Sequence, residues 1–338
     1  MHVLGLDIGK DTFFAHLLLI DGAHHSLAAV PNTTAGFQQL LRWAGKHTAS
    51  PAELHVVMEA TGVYWEKCAH HLHERGCTVS VENPARIKYF AHAKLRRGKT
   101  DKMDAELIAQ YGVTMSPKTW TPPGPALHDL KLLVRERSAL MVTLNAEQNR
   151  LHAMNHRAAA STTLVDLIQE RVAFLKTQVE ALETAMRELV EGKCSLCEPL
   201  SLLMTIPGYG FLTAASVLAE TDGFALIETG TQIAAYAGIA PAPFESGSSV
   251  QGRGRISKVG NAHLRRTAYL AASGAKHSKG RMGEFYRHLR AEGKPPKVAL
   301  IALGRKLLRT GLAVVKSGRP FQEAYRRPCP PAIDDLTE

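Results

Sequence analysis

The chain has 338 residues, which is long enough for two domains with separate hydrophobic cores. Its formal net charge of +10 and pI of about 9.4 predict a polyanionic partner, of which nucleic acid is the most common. No apolar run reaches the length of a membrane span, and no strongly basic amphipathic helix with bulky aromatic residues is present, so we expect no membrane partner.

The cysteines are scattered and odd in number, five in all, which argues against a disulfide framework and favours the reducing cytosol. Cys194 and Cys197 form a single C-x-x-C pair with no second pair nearby. Because structural zinc needs four ligands, a metal site at this pair is the less favoured interpretation.

The first 120 residues predict an α/β domain with the element order β-β-β-α-β-α-β-α, followed by a basic turn and a further helix. Short β-rich runs indicate strands, and apolar residues at helical spacing indicate helices. The predicted strands are residues 3–7, 12–20, 26–30, 53–58 and 77–81. The predicted helices begin at Thr33 or Thr34, at Tyr64, at Pro84 and after Thr100.

Two predicted strands end on acids, Asp7 and Glu59. Ligand sites in mixed α/β sheets gather where strand ends meet the adjoining loops and helices. A single acid at a strand end is usually just solvated, but acids on several elements beside a basic turn favour a site. Carboxylates that hold two divalent ions must converge from distant parts of the chain, because such ions lie only ~3.5–4 Å apart.

A basic turn leads into the helix that carries two further acids. Thr100 is typical of a helix N-cap, and Asp101 and Asp104 share one face of the helix because they are three residues apart. One interpretation is that these acids complement the positive end of the helix dipole. The other is that they ligate a divalent metal while the cations of the turn hold phosphate. The cations are Lys94, Arg96, Arg97 and Lys99.

A proline-rich linker at residues 119–125 precedes two long helical patterns in residues 126–192. Apolar residues recur at steps of three or four positions in both patterns, with charges elsewhere. This spacing predicts a helical hairpin, either as an internal core hairpin or as a dimerising coiled coil.

We assign residues 198–325 to a mainly helical C-terminal domain and residues 326–338 to a loose tail. The motif Ile206-Pro-Gly-Tyr-Gly210 precedes a helix of small residues. Backbone N–H groups at Gly208 and Gly210 would hold a phosphate in a helix-hairpin-helix pattern. The alternative is a corner between two helices that uses glycine only for the turn.

Residues 244–258 interleave serines, glycines and cations without an apolar period, which predicts a loop. In an active-site loop, a serine would attack a phosphodiester while Arg253, Arg255 and Lys258 neutralise the developing charge. The alternative is a flexible linker. A basic helix with Arg265 and Arg266 follows, and a second basic helix is predicted at about residues 297–316.

Several separated motifs resemble one known family. They are GLDIGK at residues 5–10, EATG at 59–62, RGKTDKMDA at 97–105, IPGYG at 206–210, YAGIAP at 236–241 and ESGSS at 245–249. In their order and spacing, the motifs resemble those of the transposases of insertion-sequence family one-hundred-and-ten, the bridge-RNA-guided recombinases. The resemblance covers nearly the whole chain.

The resemblance implies a ribonuclease H-like (RuvC-like) N-terminal domain of the Holliday-junction resolvase type. It implies that Asp7, Glu59, Asp101 and Asp104 form a tetrad that binds Mg²⁺, expected as two ions. It also implies that Ser246 is the nucleophile that links covalently to DNA. The residues alone do not distinguish Ser246 from Ser248, Ser249 or Ser257.

The resemblance further implies partners. A non-coding bridge RNA would pair with donor and target DNA, and homo-oligomers, dimers that assemble into tetramers, would form composite sites from different subunits. We therefore expect a bacterial cytoplasmic protein associated with the nucleoid.

The resulting hypothesis is a recombinase that cuts, exchanges and rejoins DNA strands with a metal-bound tetrad and a serine nucleophile. One alternative is a metal-dependent Holliday-junction endonuclease that uses water. Another is a non-catalytic scaffold that binds nucleic acid through the same basic surface.

Overall fold

The computed structural model describes residues 1–95, 100–159, 161–242, 245–246, 250–251 and 255–324. The chain divides into two compact units, Met1–Pro122 and Pro123–Glu338. The boundary between the units lies within the proline-rich segment at residues 119–125.

The first unit is built on a five-stranded mixed sheet with the strand order β3-β2-β1-β4-β5. The neighbours β1-β2 and β2-β3 are antiparallel, whereas β1-β4 and β4-β5 are parallel. The strands are β1 (His2–Ile8), β2 (Thr12–Leu18), β3 (His24–Pro31), β4 (Leu54–Glu59) and β5 (Thr78–Glu82).

Helices cover both faces of this sheet. The helices are α1 (Thr34–Ala44), α2 (Glu66–Glu74), α3 (Pro84–Ala93) and α4 (Asp101–Met115). Leu4, Leu6 and Ile8 of β1 lie in the core with side chains of α1 and α2, whereas Val3 lies in a separate core with side chains of α3 and α4. This alternation follows from the two-residue period of a strand.

The contact between α4 and β1 depends on a glycine. A Cβ atom on Gly5 would lie 2.3 Å from both the Ala105 carbonyl oxygen and the Ala109 backbone nitrogen. One turn further along α4, a Cβ on Gly112 would lie 2.7 Å from Val3 Cγ1. The helix therefore rests directly on the strand, and it runs antiparallel to β1.

The second unit is mainly helical and begins with a long helical hairpin of α5 (Pro125–Asn155) and α6 (Thr162–Glu191). Leu144, Ile168 and Val172 form a small core between these helices. The remaining helices are α7 (Cys194–Met204), α8 (Phe211–Glu220), α9 (Gly230–Tyr236), α10 (Ala262–Ala275), α11 (Arg281–Ala291) and α12 (Pro296–Ser317).

The structure confirms a mixed α/β N-terminal part with the predicted element order, followed by a helical C-terminal part. The segment predicted as a loop around Ser246 differs, because it contains short paired strands. They are β6 (Pro241–Ala242), β7 (Glu245–Ser246), β8 (Val250–Gln251) and β9 (Arg255–Ile256), in which β6 pairs with β9 and β7 with β8. Serine- and glycine-rich composition carries no apolar period, so strands this short leave no signal in it.

Within the described ranges, the helices are too short or too polar to cross a membrane.

Replacing Gly5 with alanine should lower the free energy of unfolding of the first unit by about 2 kcal/mol, because the new methyl group meets helix backbone that must move. All three tryptophans, Trp43, Trp65 and Trp120, lie in this unit, so the urea dependence of tryptophan fluorescence measures its unfolding. Gly45→Ala is the matched control, since Gly45 has helical dihedral angles and meets only its own preceding turn. Equal stability of the two variants would contradict the close contact.

Candidate active site

Asp7 and Glu59 lie side by side at one edge of the sheet. The parallel register of β1 and β4 pairs Leu6 with Met58, and each acid is the next residue along its strand. Both acids are half-buried. Because side chains alternate along a strand, Asp7 lies on the same face as Val3 and Gly5, and Glu59 on the same face as Val57. This is the face that α4 covers.

The first turn of α4 brings two more acids to that edge. Because α4 runs antiparallel to β1, its N-terminus lies at the carboxyl end of the strand. Thr100 caps the helix, as predicted: its hydroxyl oxygen accepts a hydrogen bond of 3.3 Å from the Met103 backbone N–H. Asp101 is exposed and Asp104 is half-buried. The structure thus places all four predicted acids at one edge of the sheet.

A further acid, Glu82, ends β5 at the same edge. Sequence reasoning missed it, although it follows the predicted strand 77–81 just as Glu59 follows the predicted strand 53–58. The strand partner of Glu82 is Glu59. The Glu82 side chain is buried and accepts hydrogen bonds of 3.2 and 3.3 Å from Arg86 Nη1. The carboxylate charge of Glu82 raises the pKa of Arg86. The geometry therefore assigns Glu82 to an ion pair.

The side chains of the described residues do not form a ready-made metal cage, since no three His, Cys, Asp or Glu among them are grouped closely enough to hold an ion. The chemistry of the four carboxylates nevertheless suits a hard divalent cation, which prefers oxygen ligands.

Of the predicted basic turn, Arg96, Arg97 and Lys99 lie outside the described residues. Lys94 follows α3 and is exposed. Its Nζ donates a hydrogen bond of 3.0 Å to Gln110 Oε1 on α4 and lies 5.3 Å from the centre of the Phe90 ring.

The predicted serine nucleophile belongs to the second unit. Ser246 lies on β7 and pairs with Val250 of β8. Arg255 lies on β9, and Lys258, just beyond it, is exposed and has a positive φ of 55°. Ser248, Ser249 and Arg253 lie outside the described residues.

The two glycines predicted to hold phosphate have different surroundings. Gly208 has a φ of 91°, and a Cβ there would lie 2.5 Å from the Ala271 carbonyl oxygen of α10. Close packing against α10 therefore requires glycine at position 208, and phosphate binding by its backbone N–H stays a prediction. Gly210 is exposed at the N-terminus of α8, and a Cβ there would meet nothing within 4 Å.

The two arginines of α10 both make contacts within the unit. Arg265 Nη1 donates hydrogen bonds to the carbonyl oxygens of Ala237 (3.1 Å) and Lys258 (3.2 Å). Arg266 is exposed, and its Nη1 donates to Ser138 Oγ at 3.3 Å. Arg265 thus joins the two sides of the segment that carries Ser246.

Sequence reasoning also missed Glu220, the last residue of α8. Its side chain is fully buried, with 0% of its surface exposed. Arg135 Nε and Nη2 donate to its two carboxylate oxygens at 2.9 and 3.0 Å, and Asn261 Nδ2 donates at 2.7 Å. Burial by itself would raise the pKa of Glu220, but the hydrogen bonds from Arg135 and Asn261 lower it overall. The sequence did contain one signal for this site, namely an acid at the end of a helix of small apolar residues.

The thiol of Cys197 donates a hydrogen bond of 2.9 Å to the Val190 carbonyl oxygen, which gives this cysteine a structural partner at the end of the hairpin.

Two family models match the chain. Residues 4–158, which include the four acids, match a model of the DEDD type from IS110 elements, described as a transposase. Residues 200–287, which include Ser246, match a model described as "Transposase IS116/IS110/IS902 family". The protein is therefore a DNA transposase or recombinase, an enzyme that cuts and rejoins DNA.

Curated relatives agree with this class. The chain is 31% identical to the pilin gene-inverting protein of Moraxella bovis over 325 residues, which is 95% of this chain and 97% of the relative. It is 30% identical to the pilin gene-inverting protein of Moraxella lacunata, over 95% of this chain and 97% of the relative. A protein of insertion element IS110 from Streptomyces coelicolor is 30% identical over 48% of this chain and 40% of the relative. The chain belongs to the IS110 family of transposases.

Replacing Thr100 with alanine should lower the free energy of unfolding of the first unit by about 1 kcal/mol, because the first turn of α4 loses its cap. Thr100→Ser should retain the stability, since serine caps at least as well as threonine. Tryptophan fluorescence in urea measures both variants. Equal losses in the alanine and serine variants would show that the hydroxyl does not cap the turn carrying Asp101 and Asp104.

Proposed function

We propose that this transposase cuts and rejoins DNA with a metal-bound acidic tetrad and the nucleophile Ser246. In this proposal the first unit is a ribonuclease H-like domain. Its mixed sheet, with antiparallel β1-β2-β3 and parallel β1-β4-β5, supports that assignment.

One observation carries the proposal. Asp7, Glu59, Asp101 and Asp104 come from three elements that are distant in sequence, and they lie at one edge and on one face of the sheet. Carboxylates repel one another, so a set of this kind is expected where a cation compensates their charge. Glu82, at the same edge, is paired with Arg86 and is not counted with the tetrad.

The tetrad would hold two Mg²⁺ ions through carboxylate oxygens. When bound, such ions neutralise the negative charge that develops on the scissile phosphate and on the attacking and leaving oxygens. The half-buried Asp7 and Glu59 would fix the position of the site relative to the sheet. Asp101 and Asp104, at the N-terminus of α4, would bring the positive end of the helix dipole towards the phosphate.

Ser246 would attack the scissile phosphorus through its Oγ. A bond forms between Oγ and phosphorus, the bond from phosphorus to the leaving strand's oxygen breaks, and the hydroxyl proton is lost to the medium while the leaving oxygen gains one. The phosphoserine conserves the energy of the phosphodiester. Attack by the hydroxyl of another strand then releases Ser246 and completes the exchange. Arg255 and Lys258, close along the chain, would neutralise phosphate charge.

We infer that a non-coding bridge RNA guides the enzyme to donor and target DNA, and the net charge of +10 supports binding to such polyanions. We also infer homo-oligomers, dimers that assemble into tetramers, in which the tetrad and Ser246 of a composite site come from different subunits. The relatives named for inverting a pilin gene suggest site-directed rearrangement as the outcome of the reaction.

Asp101→Asn and Ser246→Ala should each lower recombination by at least about 10³-fold, because each removes a group that acts on the reacting phosphate. Wild-type protein trapped during turnover and denatured should carry covalently attached DNA, whereas Ser246→Ala should carry none. Recombination of a plasmid substrate and gel mobility of the denatured protein measure these outcomes.

Controls come from the same chain. Asp21→Asn removes one carboxylate charge at the turn between β2 and β3 and should keep wild-type activity, as should Ser248→Ala and Ser249→Ala. Cleavage by the wild type without any adduct would favour an endonuclease that uses water. Binding without cleavage, indifferent to Asp101→Asn and to chelation of metal, would favour a non-catalytic scaffold.

Protein purified from its own host should carry one enriched non-coding RNA with segments complementary to donor and target DNA. Sequencing of the co-purified RNA, compared with total RNA from the same cells, measures the enrichment. RNA recovered only in proportion to cellular abundance would contradict guidance by RNA while leaving the tetrad and serine chemistry standing.

A further inference from the structure

The segment that carries Ser246 leaves the helical part of the second unit at Tyr236 and returns at Asn261. We call residues 236–242 and 255–261 the neck of this segment. Backbone hydrogen bonds close it: Asn261 N–H donates to the Tyr236 carbonyl at 2.6 Å and Lys258 N–H to the Gly238 carbonyl at 3.1 Å. The pairing of β6 with β9 continues the closure.

Both ends of the neck bond to one residue, Glu220. Asn261 Nδ2 donates to Glu220 Oε2 at 2.7 Å, and the Tyr236 hydroxyl donates to the Glu220 backbone carbonyl at 3.0 Å. Both oxygens of the same carboxylate also accept hydrogen bonds from Arg135 on α5. Glu220 therefore links the neck to the long helical hairpin.

The backbone of the neck packs closely against the end of α9. A Cβ on Gly260 would lie 2.3 Å from the Tyr236 carbonyl oxygen. Arg265 of α10 joins the two segments of the neck, because its Nη1 donates hydrogen bonds to the carbonyl oxygens of Ala237 and Lys258. The direction in which the Ser246 segment leaves the unit is thus set where it meets Glu220.

A buried ion pair is weak evidence for stability, because the cost of desolvating the charges offsets most of their attraction. Glu220 is fully buried and its partner Arg135 is 44% exposed. An apolar residue at the end of α8 would fill this space without any buried charge, but it could not orient a guanidinium and an amide together. The hydrogen bonds of Glu220 fix the directions of the Arg135 and Asn261 side chains, and thereby the orientation of the neck.

We infer that Glu220 is a positioning residue for the nucleophile: it holds the neck of the Ser246 segment to α5 through Arg135 and Asn261. The inference rests on the proposed function, in which Ser246 attacks the phosphate. Glu220 touches no reacting atom. It acts by limiting the directions in which the serine segment projects.

Asn261→Ser tests the link with little disturbance to α10, because Asn261 also caps that helix, accepting from the Leu264 N–H at 2.9 Å, and serine caps equally well. The variant loses the amide that reaches Glu220. We expect backbone amides of residues 255–261 to exchange hydrogen at least about tenfold faster in the full-length protein, while amides of α8 exchange as in the wild type. Recombination at saturating DNA should fall about tenfold, which is a loss in kcat and not in KM.

Tyr236→Phe is the second variant, because it removes only the hydroxyl at the other end of the neck and keeps the aromatic ring. It should also speed exchange in the neck, and the double variant should exceed either single one. Arg137→Gln is the matched control: it breaks the 2.6 Å ion pair with Glu183 between α5 and α6, away from the neck. It should leave exchange in the neck and recombination unchanged.

Unchanged exchange in the neck of Asn261→Ser, or recombination that falls equally in Arg137→Gln, would overturn the inference. The exchange measurement does not depend on the chemistry. Full recombination by Ser246→Ala would remove the proposed function, and hydrogen exchange in the neck would still show whether Glu220 holds the segment.

Discussion

The direct contact of α4 with β1 is the constraint on which the candidate metal site depends. With glycine at position 5, the backbone of Ala105 and Ala109 reaches the strand without an intervening side chain. Leu107, Ile108 and Tyr111 then bury the rest of the helix against the sheet. Because the helix cannot move closer or slide without a clash, its first turn is fixed at the carboxyl ends of β1 and β4. The position of two of the four acids therefore follows from backbone packing.

In the second unit, a hydrogen-bond network and not backbone packing orients the segment that carries Ser246. The strands described in this segment are two residues long each, and strands this short offer few hydrogen bonds with which to fix the direction of the segment. A directional network at its base is the alternative to a packed core. Glu220, Arg135 and Asn261 provide that network, with bond directions that dispersion contacts lack.

Much of the fold could be predicted from the sequence, since strands and helices leave periodic signals and Thr100 is followed by a recognisable helix. Asp7 and Glu59 were found because apolar runs end on them. Glu82 follows its strand just as Glu59 does, so the same signal was present in the sequence, and only the structure shows that Arg86 pairs with it. Glu220 was missed because its partners, Arg135 and Asn261, lie 85 and 41 residues away and only tertiary structure brings them together.

The glycines also show that local sequence does not identify the element that packs against a residue. Gly208 reads as a phosphate-binding turn when only its neighbours in sequence are considered, and its positive φ fits that interpretation. The structure adds a second reason for glycine, because α10 packs closely against this position. Gly5 reads as an unremarkable residue in an apolar strand, yet the acidic edge depends on it. Local sequence predicts where a chain can turn, whereas the use made of a missing Cβ is decided by the element that packs there. For this transposase, the residues that position the chemistry are therefore as informative as the acids and the serine proposed to perform it.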